Sequence, residues 1–298
     1  MNVHQKLPSD IEGLAHQVDP LSRRGFFMTA SAAAAAGYTL AAGPVRADAI
    51  KTDTTGLRAG DAKAKVSDGE MPVYFARPAN RNNAPVILVA MEIFGLHEYI
   101  KDVTRRLGKL GAFAVAPDYY FRKGGLTQIT NQPDLAPLVN SKPDAELFSD
   151  LDATVAWAKA QGGDVNRLGI MGFCRGGRTA WLYNARNPAL KASVAFYGSL
   201  VDPPAQAAIW PKSPTQLAPE MKAPGLGLYG EADQGIPLTQ VEAMKAALAS
   251  AKKTADFKTY PGAPHGFHAD YRPSYRKEAA EAAWGEMTNW FKKYKVLS

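Results

Sequence analysis

Residues 167–178 read RLGIMGFCRGGR. An apolar run over 168–171 enters Gly172-Phe173-Cys174-Arg175-Gly176 and continues as a helix-forming sequence. G-x-C-x-G after a strand predicts a sharp strand-to-helix turn, in which the central residue sits in strained backbone and the glycines let neighbouring chain pass closely. The central residue here is Cys174. A thiolate at that position would lie at a helix N-terminus, where unpaired N–H groups favour negative charge. The Arg175 N–H would then be placed to stabilise an oxyanion. Taken alone, the motif fits a small buried apolar cysteine equally well.

Bulk properties narrow the setting. With 298 residues, 46% hydrophobic and 21% charged, the chain has apolar material for one large core or two small ones. Its net charge is +7, but lysines and arginines are scattered and only short pairs such as Lys252-Lys253 occur. That distribution argues against nucleic-acid binding. The single cysteine excludes an internal disulfide. Ahead of the main body, Ser22-Arg23-Arg24-Gly25-Phe26-Phe27, an Ala-rich run over 28–42 and Ala47-Asp48-Ala49 resemble a twin-arginine export signal with its small-x-small cleavage site. The run is short and weakly apolar for a membrane span. Residues 1–49 are therefore expected to be an export signal cleaved after Ala47 or Ala49, leaving 50–298 as a periplasmic or secreted domain. Membrane contact would be limited to the export machinery.

Alternation over 62–76 predicts one or two edge strands, closed by Pro78 and a turn over 80–83. Residues 85–91, PVILVAM, form a continuous apolar run with β-branched members, the pattern of a strand buried on both faces, and it ends at Glu92. Ile100, Val103, Leu107 and Leu110 recur at helical spacing up to Gly111, and 113–116 is another buried strand ending at Pro117-Asp118. Such a β-α-β unit predicts a parallel sheet. Residues 119–144, polar and interrupted by glycines and prolines, read as a long loop or small cap. Helices are predicted over 145–160, 175–186, 241–251 and 275–294, strands over 168–171, 192–197, 225–229 and 256–260, and a proline-rich stretch over 203–224. Strands alternating with helices and no repeat predict an α/β fold of one domain: a doubly wound, mostly parallel sheet with helices on both faces.

Ligands of such sheets lie beyond the carboxyl ends of the strands. Glu92, Asp118, Arg122, Cys174, Tyr197, Asp233 and His265 all fall at or just after predicted strand ends. His265, in a tight loop between Pro264 and Gly266, is preferred to His268 as general base. Asp233 is preferred to Glu231 as the carboxylate that orients it. The order nucleophile, acid, histidine is that of the α/β-hydrolase fold. Gly225, Gly227 and Gly230 match a dinucleotide fingerprint in form, but they lie within a strand instead of opening a helix. With no HExxH or paired-cysteine pattern either, no cofactor and no metal are expected. Glu92, an acid closing a buried strand, needs a partner: the Cys174 thiol, a substrate group or a nearby arginine.

Taken in order, Glu92-Ile93-Phe94-Gly95, Pro117-Asp118-Tyr119-Tyr120-Phe121-Arg122, Gly172-Phe173-Cys174-Arg175-Gly176-Gly177, Asp233 and Pro264-His265-Gly266-Phe267 resemble the dienelactone hydrolase family. These are carboxymethylenebutenolidase-like α/β-hydrolases, and the similarity runs over about 71–294. The resemblance implies a hydrolase of small esters or lactones, with a Cys174, His265, Asp233 triad and an acyl-thioester intermediate. It also implies an oxyanion hole from the N–H groups of Ile93 and Arg175, and Glu92 holding the resting thiol until substrate displaces it. An arginine at the position of Arg122 and a serine just after the histidine would bind a lactone carboxylate, but Gly266 stands where the serine would be. Tyr197 is a further candidate for substrate contact. The stretch over 203–224 departs from the family's compact pattern. Two other readings remain: an exported binding protein that keeps the fold without turnover, and an acyltransferase.

Overall fold

The computed structural model describes residues 49–129 and 132–298. Residues 1–48 of the expected export signal lie outside the described residues. The strands are β1 (Leu57–Val66), β2 (Gly69–Pro78), β3 (Pro85–Ala90), β4 (Phe113–Pro117), β5 (Asp164–Phe173), β6 (Leu190–Phe196), β7 (Gly225–Gly230) and β8 (Ala255–Tyr260). The helices are α1 (Glu98–Lys109), α2 (Gln132–Asn140), α3 (Asp144–Ala160), α4 (Arg175–Arg186), α5 (Leu238–Ser250) and α6 (Lys277–Lys293). The strands form one sheet in the order β1-β2-β4-β3-β5-β6-β7-β8. From β4 through β8 neighbouring strands run parallel, while β1 and β2 add antiparallel at one end.

The apolar run PVILVA dictates where β3 goes. Every one of its residues is buried, so it needs cover on both faces, and α1, α3 and α4 all pack against it. Burying each such Val, Ile or Leu is worth roughly 1.5–3 kcal/mol over leaving it exposed. In α1 the spacing of Ile100, Val103 and Leu107 puts all three on the buried face. Alternation is clearer in β1, whose outer positions are exposed because this strand is the edge. The expected edge strands are thus two, and only β1 is an edge: β2 pairs with β1 on one side and β4 on the other.

The described residues of 119–144 are not an irregular loop. They hold two 3₁₀ turns and α2, whose Leu135, Ala136 and Val139 are buried. Pro133 stands in the first turn of α2, where a missing N–H costs no intrahelical bond, so it opens the helix instead of breaking it.

Chain order reverses at the centre of the sheet. From β3 the chain crosses to β4 on one side, then returns to β5 on the other. The carboxyl ends of β3 and β5 therefore flank the switch point at which open α/β sheets bind ligands. Ala90 pairs with Gly172 and Phe173 with Phe196, so the ends of β3, β5 and β6 stand level.

Candidate active site

At the end of β5 the chain turns sharply into α4. Cys174 takes φ 55°, ψ −118° at the N-cap of α4, a region that L-residues adopt only when the surroundings enforce it. The two flanking glycines supply that enforcement. A Cβ on Gly172 would lie 2.1 Å from the Gly176 carbonyl oxygen, and one on Gly176 would lie 2.0 Å from the Ala90 carbonyl oxygen. The elbow is therefore backbone packed on backbone, pressing the start of α4 onto the end of β3. The Cys174 carbonyl accepts from the N–H groups of Gly177 (2.9 Å) and Arg178 (3.2 Å), which starts the helix. Cys174 itself is buried, with its thiol at the positive end of a 12-residue helix.

Two later turns bring an acid and a base to the same place. After β7, Asp233 Oδ1 accepts from the N–H groups of Gly235 (2.9 Å) and Ile236 (3.1 Å), which fixes the carboxylate. Its Oδ2 lies 2.7 Å from His265 Nδ1. The Ala232 N–H donates to the Ala263 carbonyl (3.0 Å) and ties the two loops together. Both side chains are fully buried. Burial alone would lower the His265 imidazolium, but the Asp233 carboxylate and the Cys174 side chain outweigh it and hold it well above its ordinary value. A carboxylate on Nδ1 selects the tautomer whose Nε2 can take a proton, and the Cys174 side chain is the other group that bonds to this imidazole. The rivals stand elsewhere: His268 Nδ1 meets the Tyr99 hydroxyl at 2.7 Å, and Glu231 accepts from Thr259 at the surface.

Ile93 follows β3 inside a turn closed by Gly95 N–H to the Glu92 carbonyl, and Arg175 is the first residue of α4. Neither backbone N–H donates to a carbonyl among the described residues. Glu92 is completely buried. Its Oε2 accepts from the Tyr271 hydroxyl (2.9 Å) and stands 3.4 Å from His97 Nε2, whereas Oε1 has no hydrogen-bond partner among the described residues. Burial pushes this carboxyl up, yet His97, Arg272 and Tyr271 together hold it below its ordinary value. Tyr197 follows β6 at φ 36° with its ring edge-on to His265, centroids 5.1 Å apart, and its buried hydroxyl faces Tyr99.

Arg122 does not join this group. Its guanidinium is held by Asp68 (2.6 and 2.7 Å), Asp150 (2.9 and 3.0 Å) and Glu146 (3.0 Å). It lines a cavity of about 150 Å³ with Tyr119, Tyr120, Lys142 and Glu146, none of them a triad residue. The expected substrate arginine is thus occupied by three carboxylates. Asp118, also at a strand end, is buried and pushed up to about 6 by desolvation.

A cation absent from the sequence reading takes the place beside the base. Arg272 is buried, with Nε and Nη1 lacking any hydrogen-bond partner among the described residues. Its guanidinium lies 5.3 Å from the centre of the Phe94 ring, and a Cβ on Gly266 would come within 3.2 Å of Nη1 and of Ser274 Oγ. Gly266 itself stands at φ 73°, where a larger residue would be strained.

A mostly parallel sheet with a strained elbow after β5, and an acid and a histidine after β7 and β8, defines an α/β-hydrolase. Within that class the chain belongs to the dienelactone hydrolase family, whose model matches residues 71–295. A relative from Methylorubrum extorquens, provisionally named carboxymethylenebutenolidase, is 51% identical over 291 residues, covering 97% of this chain and 98% of that protein. One from Escherichia coli with the same provisional name is 44% identical over 260 residues, covering 87% and 95%. A solved structure from Klebsiella pneumoniae, provisionally described as a dienelactone hydrolase, is 45% identical with a TM-score of 0.77, covering 80% of this chain and 99% of that one. The chain is accordingly a hydrolase of that family, a class that takes small-molecule esters or lactones.

Proposed function

We propose that this protein hydrolyses esters or lactones through Cys174, His265 and Asp233 and an acyl-thioester intermediate. The observation that carries the reading is the buried His265–Asp233 pair at 2.7 Å beside the elbow cysteine. Cys174 Sγ attacks the carbonyl carbon, His265 Nε2 takes the thiol proton, and the N–H groups of Ile93 and Arg175 receive the oxyanion. Collapse breaks the ester C–O bond, and the leaving oxygen takes the proton from His265. Water then gives a proton to His265 and attacks the thioester, and the thiol is restored as the acid departs.

The substrate's anionic group is assigned to Arg272. Arg122 has its donors engaged by three acids, while two buried nitrogens of Arg272 have no hydrogen-bond partner among the described residues. Losing a charge-assisted hydrogen bond there costs about 1.5–3 kcal/mol, or roughly ten- to a hundredfold in KM for carboxylated esters, with little change for neutral ones. The chain is also assigned to export through Arg23 and Arg24, which R23K/R24K would abolish, leaving the precursor unprocessed in the cytoplasm.

The deciding experiment gives aryl esters, thioesters and carboxylated lactones to the protein with and without C174A, and traps the acyl group for mass spectrometry. As the chain has one cysteine, an acyl-thioester has one possible thiol. Full turnover by C174A overturns the assignment. Binding of every ester without turnover by either form favours the non-catalytic reading.

A further inference from the structure

The site contains two imidazole–carboxylate pairs, and the triad uses one. The second is His97 with Glu92, both fully buried, Nε2 to Oε2 at 3.4 Å. Its placement is built in by several elements. His97 is the N-cap of α1, where its backbone is extended and its carbonyl accepts from Lys101 at 3.1 Å. Its ring stacks on Tyr99 (interplanar angle 19°) and stands edge-on to Tyr271, centroids 5.2 Å apart. Tyr271 in turn donates to the same Glu92 oxygen that His97 approaches. One carboxylate oxygen is thus fixed from two sides, and Oε1 is left buried without a hydrogen-bond partner among the described residues.

We propose that His97 is a positioning residue that keeps Glu92 ionised and leaves Oε1 as the working oxygen. The inference rests on the proposal that Cys174 is the nucleophile, and on the role the family resemblance implies for Glu92, that of holding the resting thiol. A fully buried carboxyl would ordinarily keep its proton, and a neutral Glu92 would be a poor acceptor for the thiol S–H. Hydrogen bonding and charge from His97 come first among the influences that offset this burial. The other ionisable groups acting on Glu92 or on its neighbours are Cys174 from the elbow, Tyr197 from β6, Tyr99 from α1, and Asp270, Tyr271 and Arg272 from the loop after β8. Burial holds the three tyrosines well above their ordinary values, so they remain neutral donors. Asp270 is paired with Arg106 at 2.5 Å.

The test follows the alkylation rate of the single thiol by iodoacetamide against pH, alongside kcat and KM for an aryl ester, in wild type, H97N, E92Q and E92Q/H97N. The wild-type profile should carry an inflection on the acid side that E92Q removes. In H97N it should move up by about one pH unit or more, the direction expected when a buried carboxylate loses a hydrogen-bonding and electrostatic partner. Adding H97N to E92Q should then change nothing further, because residues acting through one another are non-additive. H97Q carries the same comparison if H97N does not fold. An unmoved inflection, or equal losses from H97N in the presence and absence of Glu92, overturns the role of His97. Neither result touches the nucleophile assignment, which C174A tests separately.

Discussion

Gly176→Ala isolates the contact on which the elbow depends. The new Cβ would lie 2.0 Å from the Ala90 carbonyl oxygen, 2.5 Å from its carbon and 2.8 Å from the Met91 carbonyl oxygen. All three are backbone atoms at the end of β3, so no side chain can swing aside. Reaching even a crowded 3.0 Å separation from the Ala90 oxygen requires a displacement of 3.0 − 2.0 = 1.0 Å. That motion carries the start of α4 away from β3, and so separates the Arg175 N–H from the Ile93 N–H. Overpacking of this kind typically costs about 1–3 kcal/mol of stability. A misplacement of about 1 Å in a reacting geometry costs about a hundredfold in rate. Gly285→Ala is the control: it lies inside α6 with nothing within 4 Å of the added carbon, and should gain up to about 1 kcal/mol from helix propensity. Urea denaturation midpoints and kcat/KM on an aryl ester measure both variants. A G176A protein with wild-type midpoint and wild-type kcat/KM would refute the idea that backbone contact between α4 and β3 sets the site.

Three further outcomes are expected. Asp233→Asn should lower kcat by roughly a thousandfold or more while leaving substrate binding largely intact, since it removes the acceptor that fixes the His265 tautomer; a steady-state assay with a folding control checks it. Asp118→Asn should stabilise the protein in a pH-dependent way. The carboxyl is raised from 3.8 to about 6 on folding, so its ionisation destabilises the native state above that range, by at most about 3 kcal/mol, and not below pH 3.8. Wild-type stability relative to D118N should therefore fall as pH rises from about 4 to 6, and a constant difference across that window would disprove the assignment. Arg122→Ala should cost about 1–3 kcal/mol, because Asp150 is fully buried and would keep Lys142 alone. KM for a carboxylated ester should move no more than KM for a neutral one, and a selective rise would return Arg122 to the site.

The parts legible from sequence were those set by local chemistry. The elbow announces itself because only glycine fits where backbone meets backbone, so Gly172 and Gly176 mark Cys174 without any tertiary knowledge. β3 was visible because an unbroken apolar run has to be buried on both faces. Arg122 was legible only as a residue after a strand end, because the carboxylates that hold its guanidinium come from the β1–β2 turn and α3, far away in sequence. Arg272 and His97 went unread for the converse reason. Each is a polar residue in an ordinary-looking loop or helix start, and its burial arises only when the segment after β8 folds over the end of β3. Polar residues crowded into His268-Ala269-Asp270-Tyr271-Arg272 directly after the base were the available signal. α2 was missed because Pro133 and Pro137 read as breakers, whereas the first of them occupies a helix start.

The strand order leaves the sheet with two open rims. Along β1 run Arg58, Asp61, Lys63 and Lys65, and Lys63 and Asp61 pair with Glu70 and Lys101. Along β8, Asp256 pairs with Lys258 at 3.2 Å. A foreign strand docking on either rim would have to strip water from these charges, so the sheet resists lengthening by addition of another chain. A protein made at high concentration is thereby guarded against edge-to-edge aggregation at the two places where its hydrogen-bonding ladder ends.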